Sequence, residues 1–131
     1  MTDDELLDLA RQARKRAYCR YSGYSVGAAL LDENGDVHLG CNVENASYGL
    51  TICAERNAVF SAVVRRESDI KAVAVVADGA AAPYPCGACR QVMSEWMPSD
   101  APVTLVCDGE ERRTMTMGEL LPHAFDGDAL P

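Results

Sequence analysis

Two short cysteine segments, Cys53-Ala54-Glu55 and Pro85-Cys86-Gly87-Ala88-Cys89, constrain this chain more than any other feature. Each lies at a predicted loop-to-helix junction. Between them runs Ile70 to Ala77, an apolar stretch of strand length, much of it β-branched, which predicts a central strand. On a helix, Cys86 and Cys89 are three residues apart, share one face and can grip a single ion. Cys53 adds a third thiolate from another helix, so the fold must bring two helix starts together. Three protein ligands leave the fourth tetrahedral position of a zinc site open for water, the arrangement of catalytic rather than closed structural sites.

The surroundings suit that chemistry. A helix N-terminus carries about half a positive charge, so two of them help keep the thiolates ionised. Three thiolates around Zn²⁺ still leave one excess negative charge, which would make a bound water a poorer acid. Arg56, next to the motif, can donate to a thiolate and offset it, and Gln91 is a candidate for holding Arg56 in place. Glu55 lies two residues past Cys53 and should project near the metal without binding it. A carboxylate there can take a proton from water and return it to a leaving amine, the pattern of zinc deaminases in general. A redox dithiol at Cys86 and Cys89 needs neither the third cysteine nor the glutamate. A structural zinc module needs a fourth protein ligand, and His38 and His123 lack useful spacing for it; both read as ordinary surface or loop residues. Cys19, Cys41 and Cys107 read as buried thiols.

Composition narrows the partners. With 20 acids against 12 bases the formal net charge is -8, leaving little room for the clustered cations that bind polyanions. Arg11, Arg14, Lys15, Arg16 and Arg20 read as a solvated helix face near the N-terminus. Hydrophobic residues make up 48% of the 131 and charged residues 24%, the balance of one compact domain over 1–131, with 126–131 as a flexible tail. No apolar run approaches the roughly 20 residues that span a bilayer. Met1 to Glu5 is acidic where a secretory signal is basic, so a cytoplasmic location is expected, with reduced cysteines.

The remaining elements follow from pattern. Thr2 and Glu5 have the form of a capping box, and Leu6, Ala10, Ala13 and Ala17 recur at helical spacing. Val26–Leu31 and Val37–Asn42 read as strands joined by a tight turn at Asn34-Gly35. Helices are expected from near Cys53 to Arg65 and from Cys86 or Gly87 to Trp96, where Pro98 stops the second. Val103–Cys107 reads as a strand, Asp108-Gly109 as a turn, Arg112–Met117 as a weak strand and Met117–Leu121 as a short helix. The order α-β-β-α-β-α-β-β favours a mixed sheet with helices on its faces.

Over nearly its whole length, Tyr18 to Phe125, the chain resembles the small homotetrameric cytidine deaminases. The resemblance is carried by Tyr21-Ser22-x-Tyr24-x-Val26-Gly27-Ala28-Ala29, Gly40-Cys41-Asn42-Val43-Glu44-Asn45-Ala46-Ser47-Tyr48, the two cysteine segments extended to Arg56 and Gln91, and Leu120-Leu121-Pro122-x-Ala124-Phe125. It implies a three-layer α/β/α fold around a mixed five-stranded sheet, one Zn²⁺ per subunit on Cys53, Cys86 and Cys89, and deamination of free cytidine and deoxycytidine with Glu55 moving the protons. It further implies that Asn42 and Glu44 bind the ribose hydroxyls, that the Ala54 N–H meets the base carbonyl, and that Tyr48 and Phe125 reach a neighbouring subunit's site in a homotetramer. Two positions depart from the family: Tyr24, usually Phe and stacked on the pyrimidine, and Arg20, usually Pro. Both bear on substrate range, and relatives acting on modified cytosine nucleosides such as blasticidin S share the zinc motifs. A deaminase of nucleic acid would use the same chemistry, but the acidic charge disfavours it.

Overall fold

The computed structural model describes residues 1–65, 68–79, 81–107 and 112–131. The turn expected at Asp108-Gly109 lies outside them. Helix α1 spans Asp3–Arg14, strand β1 Val26–Asp32, β2 Val37–Cys41, helix α2 Ala54–Arg65, β3 Ile70–Ala77, α3 Gly87–Trp96, β4 Pro102–Cys107, β5 Arg113–Thr116 and the short α4 Met117–Leu120. The five strands form one sheet in the order β2-β1-β3-β4-β5, with β3 and β4 parallel and every other pair antiparallel.

Side-chain alternation along the strands sorts the core into two layers. Ala28, Leu30, Val73, Val75, Val103 and Leu105 face α2, α3 and α4, where they meet Ala58, Val59, Met93 and Leu120. Ala29, Ala74, Val76 and Val106 face the other way, onto Leu6, Leu7 and Ala10 of α1. The result is the α/β/α sandwich with a mixed five-stranded sheet. Two glycines permit its close packing. A Cβ at Gly27 would lie 2.1 Å from the Ala10 carbonyl oxygen, and one at Gly40 would lie 2.3 Å from that of Ala54, so β1 presses on α1 and β2 on the start of α2. Among the described residues, no helix is long and apolar enough to cross a membrane.

Several expectations change. Thr2 caps α1 by accepting from the Glu5 N–H at 3.1 Å, but the helix stops at Arg14, short of Ala17. The chain turns there so that Tyr18 can bridge Val43. Arg14 does not lie on a solvated face: it is half-buried, with its Nε donating to Ser25 Oγ at 3.0 Å and its guanidinium paired with Asp78. The β1–β2 connection is wider than a two-residue turn, running from Glu33 to Asp36, with the Asp32 carboxylate accepting the N–H groups of Asn34 and Asp36. His38 is neither surface nor loop. It is buried on β2, with Nε2 2.8 Å from the Asp32 carboxylate, itself only 1% exposed. Residues 126–131 are exposed, and Asp126 caps a 3-10 turn at Gly127–Ala129.

Candidate active site

The N-termini of α2 and α3 open at the same end of the sheet, where β2 and β3 finish and β1 begins. Cys53 immediately precedes α2, Cys86 caps α3 and Cys89 sits in its first turn. The three sulfurs lie within 4.8 Å of one another, and those of Cys53 and Cys86 are 3.9 Å apart. A tetrahedral zinc site with Zn–S bonds of about 2.3 Å has an S···S edge of about 3.8 Å. The three thiols therefore fit one zinc ion. Among the described residues no fourth His, Cys, Asp or Glu joins them, so the set is that of an open site rather than a closed structural one.

Charge within the cluster is uneven. A hydrogen bond with Cys89, reinforced by Arg56 and opposed by burial, draws the Cys53 thiol down to about 5, while that bond and burial push Cys89 upward. Arg56 donates from Nη2 to the Cys53 sulfur at 3.5 Å, and its buried Nε has no hydrogen-bond partner among the described residues. Gln91 does not hold Arg56: its amide donates 2.9 Å to the Phe125 carbonyl. One helical step separates residues 90 and 91 in direction, and both reach the C-terminal segment, Arg90 bonding the Leu120 carbonyl at 2.8 Å and the Pro85 carbonyl at 2.7 Å.

Glu55 is 4% exposed and lines a cleft of about 330 Å³ together with Cys53 and Cys86. Burial, followed by the negative charge on Cys53, raises its carboxyl to about 7. The cleft also takes in Tyr24, Asn42, Glu44 and Ala54. Asn42 is fixed by main chain, its Nδ2 donating to the Tyr24 carbonyl at 2.8 Å and its Oδ1 accepting from the Val26 N–H at 2.9 Å. Each half of the amide keeps further hydrogen-bonding capacity. Glu44 accepts from the Ser22 hydroxyl and from the N–H groups of Tyr21 and Ser22, which hold it below the usual carboxylate range. Ala54 opens α2, so its N–H has no intrahelical acceptor.

Tyr48 and Phe125 stand outside this cleft. Tyr48 is exposed, lines an adjoining cavity of about 340 Å³ that shares Ser22, Glu44 and Thr51, and meets the Tyr21 ring edge-on at 6.0 Å. Phe125 is exposed as well. Arg20 lies over the Tyr21 ring at 5.6 Å. Pro83, Tyr84, Thr51 and Ser22 also line the cleft; nothing in the residues themselves reveals it, and only nearness in sequence, Tyr84 to Cys86, Thr51 to Cys53 and Ser22 to Tyr24, hints at their place.

Residues 1–104 match the family model for the cytidine and deoxycytidylate deaminase zinc-binding region. A cytidine deaminase from Halalkalibacterium halodurans is 50% identical over 123 residues, which cover 94% of this chain and 93% of that one. The crystal structure of cytidine deaminase from Burkholderia pseudomallei superposes with a TM-score of 0.91 at 46% identity, covering 95% of this chain and all 100% of the other. That of Mycobacterium tuberculosis cytidine deaminase gives a TM-score of 0.82 at 40% identity, covering 96% and 99%.

Proposed function

Because the chain belongs to the cytidine and deoxycytidylate deaminase family, we propose that it converts free cytidine and 2′-deoxycytidine to uridine and 2′-deoxyuridine with release of ammonia, a pyrimidine salvage reaction carried out in the cytoplasm by residues 1–131 as one catalytic domain. The observation that carries this reading is the buried Glu55 carboxyl at the cleft wall, two residues from Cys53 and beside a thiol cluster fitted to zinc. When bound, zinc supplies Lewis acidity that makes a water acidic near neutral pH.

The chain's own residues do the rest. The Glu55 carboxylate accepts one proton of the water that adds to C4 of the ring and delivers it to N3. It then takes the proton of the new C4 hydroxyl and hands it to the departing amine as the C4 carbonyl forms, so one water is consumed and one ammonia released. A carboxyl raised to about 7 is matched to both halves of that task. Tyr24 stacks on the base and the Ala54 N–H donates to its carbonyl oxygen. Asn42 and Glu44 take the ribose hydroxyls. A carboxylate at this position repels a phosphate, and with the net charge of -8 it favours nucleosides over polynucleotides.

A homotetramer with shared sites is part of the same proposal. Leu39, Val43, Phe60 and Val64 line one exposed apolar groove on the outer side of β2 and α2, with Val64 88% exposed. A patch of that kind suits association of like chains, and in that assembly we assign Tyr48 and Phe125 to neighbouring subunits' sites.

The test is ammonia release from cytidine, deoxycytidine, dCMP and a cytosine-containing DNA oligomer, with and without a zinc chelator. Chelator-sensitive release from the two nucleosides is expected. Release from the oligomer instead would replace this reading with an editing enzyme, and silence on all four with zinc bound would redirect it to modified cytosine nucleosides, with Tyr24 as the cause.

A further inference from the structure

We propose that Arg14 is a positioning residue for the reaction, and that its pairing with Asp78 and Ser25 sets the separation of the two walls between which the base enters. The inference rests on the cleft being the nucleoside site proposed above.

Strands β1 and β3 are antiparallel and stay paired as far as Val26 and Ala77. Past that rung they part. The chain before β1 becomes the wall bearing Tyr24, and the chain after β3 comes round to the cleft at Pro83 and Tyr84 before reaching Cys86. Ser25 and Asp78 therefore occupy the crotch of a fork whose two arms enclose the cleft.

That crotch is tied three ways. The Asp78 N–H donates to the Ser25 carbonyl at 3.4 Å, and the Ser25 hydroxyl donates to Asp78 Oδ2 at 2.7 Å. Arg14, arriving from the last turn of α1, donates from Nε to Ser25 Oγ at 3.0 Å and pairs through Nη2 with Asp78 Oδ1. The Arg14 and Asp78 side chains are 22% and 32% exposed, so water competes only partly for these bonds. None of the three residues lines the cleft.

The next residue shows how closely the arms depend on the tie. Gly79 has φ +101°, a backbone state that other residues rarely adopt, and a Cβ there would meet Tyr24 Cε1 at 3.9 Å. The turn that carries the second arm is thus packed beside the ring of the first. Loosening Ser25 from Asp78 lets Tyr24 and Tyr84 move relative to each other, while Arg90, bonded to the Pro85 carbonyl, keeps the start of α3 and its thiols in place. Arginine suits the position because its planar fork serves a hydroxyl and a carboxylate together, whereas a lysine offers a single point charge.

The test uses the full zinc-loaded chain and the variants Arg14→Met, Asp78→Asn and Arg14→Lys. A misplaced wall weakens substrate positioning, so KM for cytidine should rise about tenfold in the first two, with kcat within about threefold of wild type. Zinc content should be unchanged, the double variant Arg14→Met/Asp78→Asn should be no worse than either single, and Arg14→Lys should recover part of the loss. An unaltered KM, or a fall in kcat alone, overturns the proposal. Should the charge variants fold poorly, Ser25→Ala removes one hydroxyl and should still raise KM about threefold; no rise overturns it. A zinc-loaded wild type that leaves cytidine untouched would sink the nucleoside reading. The fork is then read from amide exchange at Tyr84, which should quicken about tenfold in Arg14→Met; unchanged exchange overturns the inference by itself.

Discussion

Gly40 and Ala54 are held so close that a single Cβ on the strand residue would sit 2.3 Å from the carbonyl oxygen of the helix residue, and 2.4 Å from the Ala58 nitrogen. Those atoms are backbone and cannot swing aside. Gly40→Ala should therefore push α2 off β2, costing about 2–3 kcal/mol as an overpacked contact. Since α2 begins beside Cys53, zinc affinity should fall with stability. Denaturant melts and a competitive zinc assay on the same variant check both, and a fully stable variant with native zinc affinity would contradict the packing.

Glu55 touches no thiol in the role assigned to it, so Glu55→Ala should keep stoichiometric zinc while turnover falls at least ~10²–10⁴-fold, the range for loss of a general acid–base. Metal analysis with steady-state kinetics separates the two. Near-native turnover with zinc retained would remove Glu55 from the mechanism.

Tyr24 is kept neutral: burial, with the nearby Glu55 charge, raises its phenol above the ordinary value. The ring rather than the hydroxyl should carry binding. Tyr24→Phe is expected to hold kcat/KM for cytidine within about threefold, whereas Tyr24→Ala should raise KM about tenfold or more, because base–aromatic stacking contributes ~1–3 kcal/mol. Parallel assays on N4-substituted cytidines show whether the hydroxyl narrows the pocket: if it does, Tyr24→Phe accepts them better than wild type.

Asp32 titrates on the stability curve rather than in the reaction. Burial pushes its carboxyl up, but the hydrogen bonds from His38 and from the Asp36 and Asn34 amides outweigh burial and hold it below the ordinary value. A depressed folded value means the unfolded chain binds the proton first as pH falls. The stabilisation is complete above the ordinary carboxylate range and is lost as pH drops through the lower folded value. Asp32→Asn should flatten that acid limb and cost about 1–3 kcal/mol at neutral pH by weakening a buried hydrogen-bond set. Urea melts from neutral pH downward test both; an unchanged acid slope in the variant would rule out this carboxylate as its source.

Parts of the structure whose determinants are local were legible in the sequence. The β-branched run Ile70–Ala77 is the strand β3 at both ends, and α3 runs from Gly87 to Trp96 because Pro98 follows. The Cys86–Cys89 spacing indicated that these two thiols share a helix face, a local property, whereas Cys53 was joined to them by the chemistry of a three-thiolate site rather than by spacing. What stayed hidden depended on partners distant in sequence. Arg14 has an ordinary helix-surface pattern until Asp78, from the end of β3, is set beside it. His38 alternates inward while Leu39 faces out, the reverse of what hydrophobicity alone predicts, and only the Asp32 carboxylate makes that affordable. Gln91 was within one turn of the ligands and still served the Phe125 carbonyl, a matter of rotamer that spacing does not contain.

Cys53 and Cys86 are separated by α2 and β3 in their entirety. An ion held by both therefore closes a loop of more than thirty residues, and the chain entropy removed from the unfolded ensemble grows with the logarithm of that length. Zinc here is a chain crosslink as well as a reagent. Metal supply should therefore raise resistance to unfolding as well as activity, so scarcity should lower the folded population along with the active fraction.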